Sequence, residues 1–271
     1  MPNKVMNILD EIVIHKKEEV KEKKELVPVK KLEKSLYFQS PTVSLSAYIT
    51  RPDKQGIIAE FKRKSPSKGL INAYADVEEV TIGYMMAGAS ALSVLTDEKF
   101  FGGKNEDLTQ ARKFNYCPIL RKDFIVDEYQ IIEARSIGAD AILLIAEILS
   151  KQEIKNLAAT ARHLGLEVLM ELHSAEEIEK ICEPINVVGV NNRNLKSFHT
   201  GISTSEQLFA QLPKDKVLIS ESGLDNPETV IHLRRLGYQG FLIGEYFMKQ
   251  ADPAKKCTQF IQTLQRLATH G

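Results

Sequence analysis

The chain has 271 residues, a length at which α/β barrels fold as one unit, and its 36 Lys and Arg balance 36 Asp and Glu. Zero formal net charge excludes a global field for nucleic acid or an anionic membrane, so any anion site must be local. The three cysteines, Cys117, Cys182 and Cys257, lie far apart and outside any CxxC pairing, which argues against a disulfide framework or a zinc site and fits a reducing cytoplasm.

Residues 1–10 lack the apolar core of a signal peptide. The longest uncharged run, Val80 to Thr96, contains Thr, Gly and Ser and falls short of the roughly 20 apolar residues of a membrane helix. The expectation is a soluble cytoplasmic protein.

Residues 4–34 alternate acids and bases around Ile8, Leu9, Ile12, Val13 and Val20, a spacing that predicts an amphipathic helix stopped by Pro28. The run from Lys16 to Glu25 mixes signs at i, i+4 and reads as a solvated helix face. Residues 36–55 have no sustained period and are punctuated by Pro41, Ser44, Ser46 and Pro52, so they read as a connector. The apolar stripe of the N-terminal segment needs a partner and the connector is long, so residues 1–55 are expected to pack as an extension on the barrel mouth.

From residue 56 the texture changes to short apolar runs, each followed by an amphipathic segment. The runs are Ile57 to Phe61, Ala91 to Leu95, Pro118 to Leu120, Ala141 to Ile145, Glu167 to Met170, Val187 to Val190, Val217 to Ile219 and Phe241 to Ile243. Helical spacing covers Asp76 to Ala87, Asn105 to Phe114, Glu128 to Ile137, Ser150 to Leu164, Ser174 to Cys182, Thr204 to Leu212, Pro227 to Leu236 and Pro253 to Ala268. Ser150, Ser174 and Asn226 are predicted N-caps, and Gly88, Gly138, Gly165 and Gly237 stand just past helix ends. Eight strand-then-helix units predict an α/β fold, a (β/α)₈ TIM barrel with an extra N-terminal helical segment. A doubly wound open sheet is the alternative, but no G-x-G-x-x-G follows any strand.

Active sites of this architecture form at the C-terminal ends of the strands. Along the first run Ile58, Glu60 and Lys62 share one face, and Lys64, Ser65, Ser67 and Lys68 follow in a Pro- and Gly-containing loop rich in donors for a phosphate. Lys62, Lys122, Glu171 and Glu221 come from strands one, three, five and seven, the set that fills one layer of a barrel. Two ammoniums and two carboxylates facing one another in a partly dry mouth would shift each other's pKa values into a range useful for acid–base chemistry, whereas the bland alternative is a structural ion-pair plug. Desolvation and the neighbouring Lys62 are expected to lower the pKa of Lys122. Ser222-Gly223 after strand seven and Gly244-Glu245 after strand eight occupy the usual phosphate loops. Glu245 sets a carboxylate where an anion binds, which is expected to be resolved by its N–H facing the phosphate while its side chain points toward the next helix. Lys62, with Lys64 or Lys68, would supply the positive charge. His15, His163, His199, His232 and His270 are isolated, His173 beside Glu171 reads as a packing or surface residue, and no H-E-x-x-H suggests a metal.

The motifs Glu60-Phe61-Lys62-Arg63-Lys64-Ser65-Pro66-Ser67 with Gly69, Leu120-Arg121-Lys122-Asp123-Phe124, Glu171-Leu172-His173, Val190-Asn191-Asn192-Arg193-Asn194-Leu195, Ser220-Glu221-Ser222-Gly223 and Leu242-Ile243-Gly244-Glu245 together resemble indole-3-glycerol phosphate synthase of tryptophan biosynthesis. The resemblance spans roughly Gln55 to Met248 and extends to the amphipathic segment ahead of the barrel. It implies conversion of 1-(2-carboxyphenylamino)-1-deoxyribulose 5-phosphate to indole-3-glycerol phosphate with loss of carbon dioxide and water, without cofactor or metal. It further implies Lys122 as general acid for ring closure, Glu171 as base or acid partner in dehydration, and Glu60 orienting the lysines. Lys62 would either bind the aromatic carboxylate or donate a proton. Asn191 and Arg193 would hold the carboxylate and a sugar hydroxyl, and Ser65 would also contact substrate. Glu221 and Ser222 would line the sugar-phosphate end, and Gly223, Gly244 and Glu245 would bind phosphate. The expected partner is a small phosphorylated substrate, with no nucleic acid or membrane, and the protein is expected to be a monomer or weak homo-oligomer. Other readings are a related barrel, phosphoribosylanthranilate isomerase or the tryptophan synthase α subunit, and a non-catalytic phosphate-ligand-binding barrel. With so few residues after the eighth helix, no fused isomerase domain is expected.

Overall fold

The computed structural model describes residues 7–194 and 199–269, so residues 4–6 of the expected first helix, Leu195 and His270 lie outside it. The eight apolar runs form a closed barrel of parallel strands: β1 Ile57–Phe61, β2 Ala91–Leu95, β3 Ile119–Lys122, β4 Ala141–Ile145, β5 Glu167–Leu172, β6 Val187–Asn191, β7 Val217–Glu221 and β8 Gly240–Ile243. They are continuously apolar because one face packs on helices and the other fills the barrel. Closure pairs Ile57 with Phe241, Ile58 with Leu242 and Ala59 with Ile243. Strands β3, β5, β6 and β7 run past the end of the apolar pattern and take in Lys122, Glu171, Asn191 and Glu221. These polar side chains are therefore fixed by strand register rather than carried on loops.

The helices are α1 Ile8–Leu26, α2 Val29–Leu32, α3 Leu45–Ile49, α4 Val77–Met86, α5 Asn105–Phe114, α6 Glu128–Ile137, α7 Lys151–His163, α8 Ser203–Leu208, α9 Pro227–Leu236, α10 Glu245–Met248 and α11 Pro253–Thr269. Ser150 caps α7 in a reciprocal box with Glu153, and Asn226 accepts the Glu228 N–H ahead of α9. The helix expected over Ser174 to Cys182 is instead a 3₁₀ turn, Ala175–Lys180. There Glu177 turns back to accept the His173 N–H at 2.7 Å, a contact that draws the turn against the end of β5. The segment expected at Thr204 to Leu212 divides into α8 and a 3₁₀ turn, Phe209–Gln211.

The connector is not structureless. Ser44 caps α3, and both Ser44 and Ser46 donate to Glu167 at the start of β5, with Oγ to Oε1 distances of 2.6 and 2.9 Å. Leu45 and Ile49 are buried with Ile58, Ala91, Leu169 and Ile219, so α3 plugs the N-terminal end of the barrel. Leu9 and Ile12 of α1 join the same cluster beside Phe124 and Ile145 at the opposite end. Between these two positions the chain descends along α6, where the Tyr129 hydroxyl donates to the Lys23 and Val27 carbonyls at 3.1 and 2.8 Å.

The charged run of α1 divides. Lys17, Glu18, Lys21, Glu22, Lys24 and Glu25 are exposed, as a solvated face requires, but Lys16 is fully buried. It stands four residues from both Ile12 and Val20, on the apolar stripe, and its Nζ lies 2.9 Å from Asp97 Oδ2, 3.1 Å from Asp123 Oδ1 and 2.8 Å from Glu19 Oε2. Burial alone would weaken the ammonium, but Asp123, Asp97 and Glu19 outweigh it and leave its pKa raised. Removing one partner of such a network leaves uncompensated buried charge. Lys16→Met should therefore cost about 3–5 kcal/mol of stability, measured as a lower urea midpoint, whereas an unchanged midpoint would show that α1 is not pinned there.

Candidate active site

The centre of the mouth is Lys122, the last residue of β3. Its Nζ lies 2.8 Å from Glu221 Oε2 on β7 and 3.2 Å from Glu171 Oε2 on β5. Glu60 on β1 is the fourth member of the group, held by Lys62 Nζ at 2.8 Å and by Ser93 Oγ at 3.2 Å. The expected quartet thus differs in one position: Glu60 faces Lys122, and Lys62, one step beyond the end of β1, pairs with Glu60. The period-two alternation of the strand puts both on one face, and register decides which reaches the layer.

The electrostatics follow from one cation among three buried carboxylates. Burial pulls the Lys122 ammonium down, but Glu221, Glu171 and Glu60 together more than reverse this, so its pKa is raised. The expected lowering does not occur because the nearest charges are anions, not Lys62. Glu171 and Glu60 are held below the usual carboxylate range: burial opposes this, and Lys122 and His173 for Glu171, or Lys62 and Lys122 for Glu60, prevail. Glu221 goes the other way, pushed up to about 7 by burial and by the Glu171 charge despite Lys122.

Two cavities meet over this layer. One, of about 120 Å³, has a wall of Ile8, Leu9, Ile12, Phe124, Leu143 and Ile145 opposite Glu60, Lys122, Glu171 and Glu221. It suits an aromatic ring with polar substituents. The other, of about 540 Å³, is lined by Lys68, Gly223, Gly244, Glu245 and Lys249, and shares Lys62, Ser67, Arg193 and Ser222 with the first. Lys64 is elsewhere, donating to the Lys99 carbonyl at 2.5 Å. Lys249 was not singled out in the sequence, because it follows α10 rather than a strand.

Arg193 ties three loops together, donating to Ser67 Oγ at 2.8 Å, Glu245 Oε2 at 2.8 Å and Thr200 Oγ1 at 3.3 Å. The Glu245 side chain therefore turns toward Arg193 and Lys68 and not toward the following helix. Asn191 Oδ1 accepts the Arg193 N–H at 2.9 Å, and its side chain also hydrogen-bonds Glu171. Ser65 is buried on the wall of the smaller cavity, with its Oγ 3.4 Å from that of Ser67. Ser222 has φ 67°, the only positive φ at a non-glycine among the described residues, and Gly223 follows at 72°. Asn192 holds the Ser222 carbonyl at 3.1 Å. A side chain in that region costs on the order of 1–3 kcal/mol.

Two glycines make room for the carboxylates. A Cβ on Gly244 would lie 2.5 Å from Glu60 Oε1, and one on Gly189 would lie 2.2 Å from Glu221 Oε1. Gly189 was missed, although a glycine inside an apolar strand is a signal of close approach. His173 is neither on the surface nor simply packed: its Nε2 is 3.3 Å from Glu171 Oε1 and its Nδ1 3.8 Å from Glu147 Oε2.

A profile of the indole-3-glycerol phosphate synthase family matches residues 9–260. The chain is 48% identical over 259 residues to the indole-3-glycerol phosphate synthase of Bacteroides thetaiotaomicron, covering 96% of this chain and 99% of that one. It is 44% identical over 253 residues to that of Campylobacter jejuni strain 81-176, covering 92% and 97%. Among solved structures it is similar in fold to the tryptophan synthase α subunit of Legionella pneumophila, with TM-score 0.61, 14% identity and 84% and 97% coverage. The 3-hexulose-6-phosphate synthase of Salmonella typhimurium gives TM-score 0.60, 12% identity and 77% and 99% coverage.

The φ of Gly244 is −125°, open to any residue, so the glycine is required by contact with Glu60. Gly244→Ala should keep the fold, seen by circular dichroism, and lower turnover by roughly 10²-fold, the cost of a misplaced reacting group. A rise in KM with kcat intact would mean that Gly244 serves only the phosphate.

Proposed function

The chain belongs to the indole-3-glycerol phosphate synthase family, and from that premise we propose how its own residues divide the work of that enzyme. The reaction, a step of tryptophan biosynthesis, closes the indole ring, releases carbon dioxide and then eliminates water, which makes the protein a carbon–carbon lyase. The observation that carries the assignment of roles is the contact of Lys122 with both Glu171 and Glu221 under an apolar wall.

The aromatic ring of the substrate lies against Leu143, Ile145 and Phe124 with the ketose carbonyl at Lys122. An ammonium whose pKa is raised holds its proton in the ground state and releases it only as the carbonyl oxygen becomes an alkoxide, a far stronger base, so its stabilisation is concentrated in the transition state. Lys62, which lines both cavities, takes the aromatic carboxylate together with Asn191 and Arg193, and Ser65 borders it. Glu60 orients Lys62. Loss of carbon dioxide restores the aromatic ring, after which Glu171 removes the proton from the carbon beside nitrogen while Lys122, protonated again, gives the second proton to the hydroxyl that leaves as water. Glu221, half neutral near pH 7, limits the repulsion that a doubly anionic substrate meets, and with Ser222 it borders the sugar. Gly223, Gly244 and the N–H of Glu245 surround the phosphate, with Lys68 and Lys62 supplying charge.

No helix among the described residues is long and apolar enough to cross a membrane. We read a cytoplasmic monomer or weak homo-oligomer, acting on its small phosphorylated substrate without cofactor, nucleic acid or membrane and built as one barrel with the N-terminal segment over its mouth. Light scattering at micromolar concentration should give the monomer mass, and a tight dimer would refute that part.

With the anthranilate-derived ribulose phosphate, indole fluorescence should appear. Lys122→Met should lower kcat by about 10² to 10⁴ with little change in KM, as expected for a group acting mainly in the transition state. Glu171→Gln should accumulate the ring-closed, decarboxylated species in single turnovers. Stalling of both variants at the same step would overturn the division of roles.

A further inference from the structure

The reaction has a proton balance that the described site must satisfy. The substrate carboxylate leaves as neutral carbon dioxide, one oxygen collects two protons on its way from carbonyl to water, and one proton returns from carbon. Each turnover therefore consumes one proton from solvent. On the mouth side the small cavity is roofed by Ile8, Leu9 and Ile12, with Glu171 buried and Lys122 half-buried beneath.

On the far side of Glu171 lies a third cavity, of about 260 Å³, lined by Glu147, His173, Ser174, Glu177, Asn191 and Arg193. It shares Asn191 and Arg193 with the smaller active-site cavity, and the His173 ring lines it beside Glu171. Nε2 faces Glu171 Oε1 at 3.3 Å and Nδ1 faces Glu147 Oε2 at 3.8 Å. The side chain is 9% exposed, and among the described residues neither ring nitrogen has a hydrogen-bond partner. A histidine kept for structure is commonly fixed by a backbone carbonyl on one nitrogen; this ring instead bridges two carboxylates.

We propose that His173 is a positioning residue that passes protons from this cavity to Glu171. The proposal rests on the roles assigned above to Lys122 and Glu171. His173 first takes a proton from solvent on Nδ1 at Glu147 and then gives the one on Nε2 to the Glu171 carboxylate, and a half-turn of the ring restores the starting state. Glu171 hands its proton across the 3.2 Å contact to the Lys122 amine left by ring closure. One proton enters from solvent and no other reactant is needed.

The charged groups around the ring suit this traffic. Glu147 and Glu171 flank it, and the Glu177 carboxylate accepts the His173 backbone N–H at 2.7 Å. Arg193 lines the cavity, and Lys180 donates to the carbonyls of Ala146 and Leu149 on either side of the Glu147 loop. Three carboxylates thus stand around the ring.

The test is steady-state and single-turnover kinetics of His173→Gln in weak buffer, with imidazole as the added probe. The expected result is a fall in kcat of about 10²-fold, the lower end for a lost proton-transfer step, with KM unchanged, a larger solvent deuterium effect and recovery of kcat as imidazole is added. Glu147→Gln should show a smaller fall with the same recovery, and it decides the matter if His173→Gln fails to fold. Unchanged kcat in the variant tested, or a loss that imidazole does not repair, overturns the relay. Loss of parental activity on chelator treatment would make Glu147, His173 and Glu177 a metal site and overturn it too. Glu171→Gln separates the two levels: if it keeps full kcat the reading of Glu171 fails, and if it loses kcat while His173→Gln does not, only the relay fails.

Discussion

Everything at the mouth of this barrel depends on one half-buried ammonium held among three buried carboxylates. Bringing Glu60, Glu171 and Glu221 out of water, and Lys122 most of the way, is costly, and the attraction that offsets it is a few kcal/mol per close pair at the effective dielectric of such sites. The group is net negative, and two adjustments relieve it: Lys62 pairs with Glu60, and Glu221 rises to about 7. A cation surrounded by carboxylates is suited to chemistry in which it must keep its proton until an oxyanion forms.

The strand that presents Lys122 also fastens the layers on either side of it. Successive residues of a strand face opposite ways, so Arg121 points outward while Lys122 points in. Arg121 is fully buried and donates to Thr96 Oγ1, the Gln130 carbonyl, Asn105 Oδ1 and, at 2.5 Å, Glu133 Oε2. Asp123 then meets Lys16 of α1. Three consecutive charged residues thus serve the helical layer, the reacting centre and the roof, and the roof is coupled to the centre through a single peptide segment.

The barrel was legible because its strands are buried on both faces and its helices are amphipathic, so the change of period marks each element. The strand-end carboxylates and lysines were legible for the same reason, as charges where the apolar pattern should continue. What sequence could not deliver was partner choice. Lys62 and Glu60 lie on one strand face, and only the register against β2, where Glu60 stands beside Ser93, puts Glu60 in the layer. Lys16 looked like one cation in a solvated run, although its alignment with Ile12 and Val20 placed it on the buried stripe. Ser44 and Ser46 read as loop residues, since their acceptor, Glu167, is distant in sequence. His173 carried no local pattern, because its meaning lies in carboxylates from two different strand ends.

The even-numbered strands explain the shape of the site. For long side chains on β1, β3, β5 and β7 to meet at the axis, the strands between them must yield space. Ser93 on β2 is small and donates to Glu60, Gly189 on β6 leaves room for Glu221 Oε1, and Gly244 after β8 leaves room for Glu60. Strand β4 is the exception, offering Leu143 and Ile145 between Lys122 on one side and Glu171 on the other. The apolar wall therefore falls between Lys122 and Glu171, while the two glycines make room for Glu60 and Glu221. In the proposed reading an aromatic ring and a sugar phosphate joined in one molecule take the apolar and the polar cavity respectively, which sets the ketose between Lys122 and Glu171.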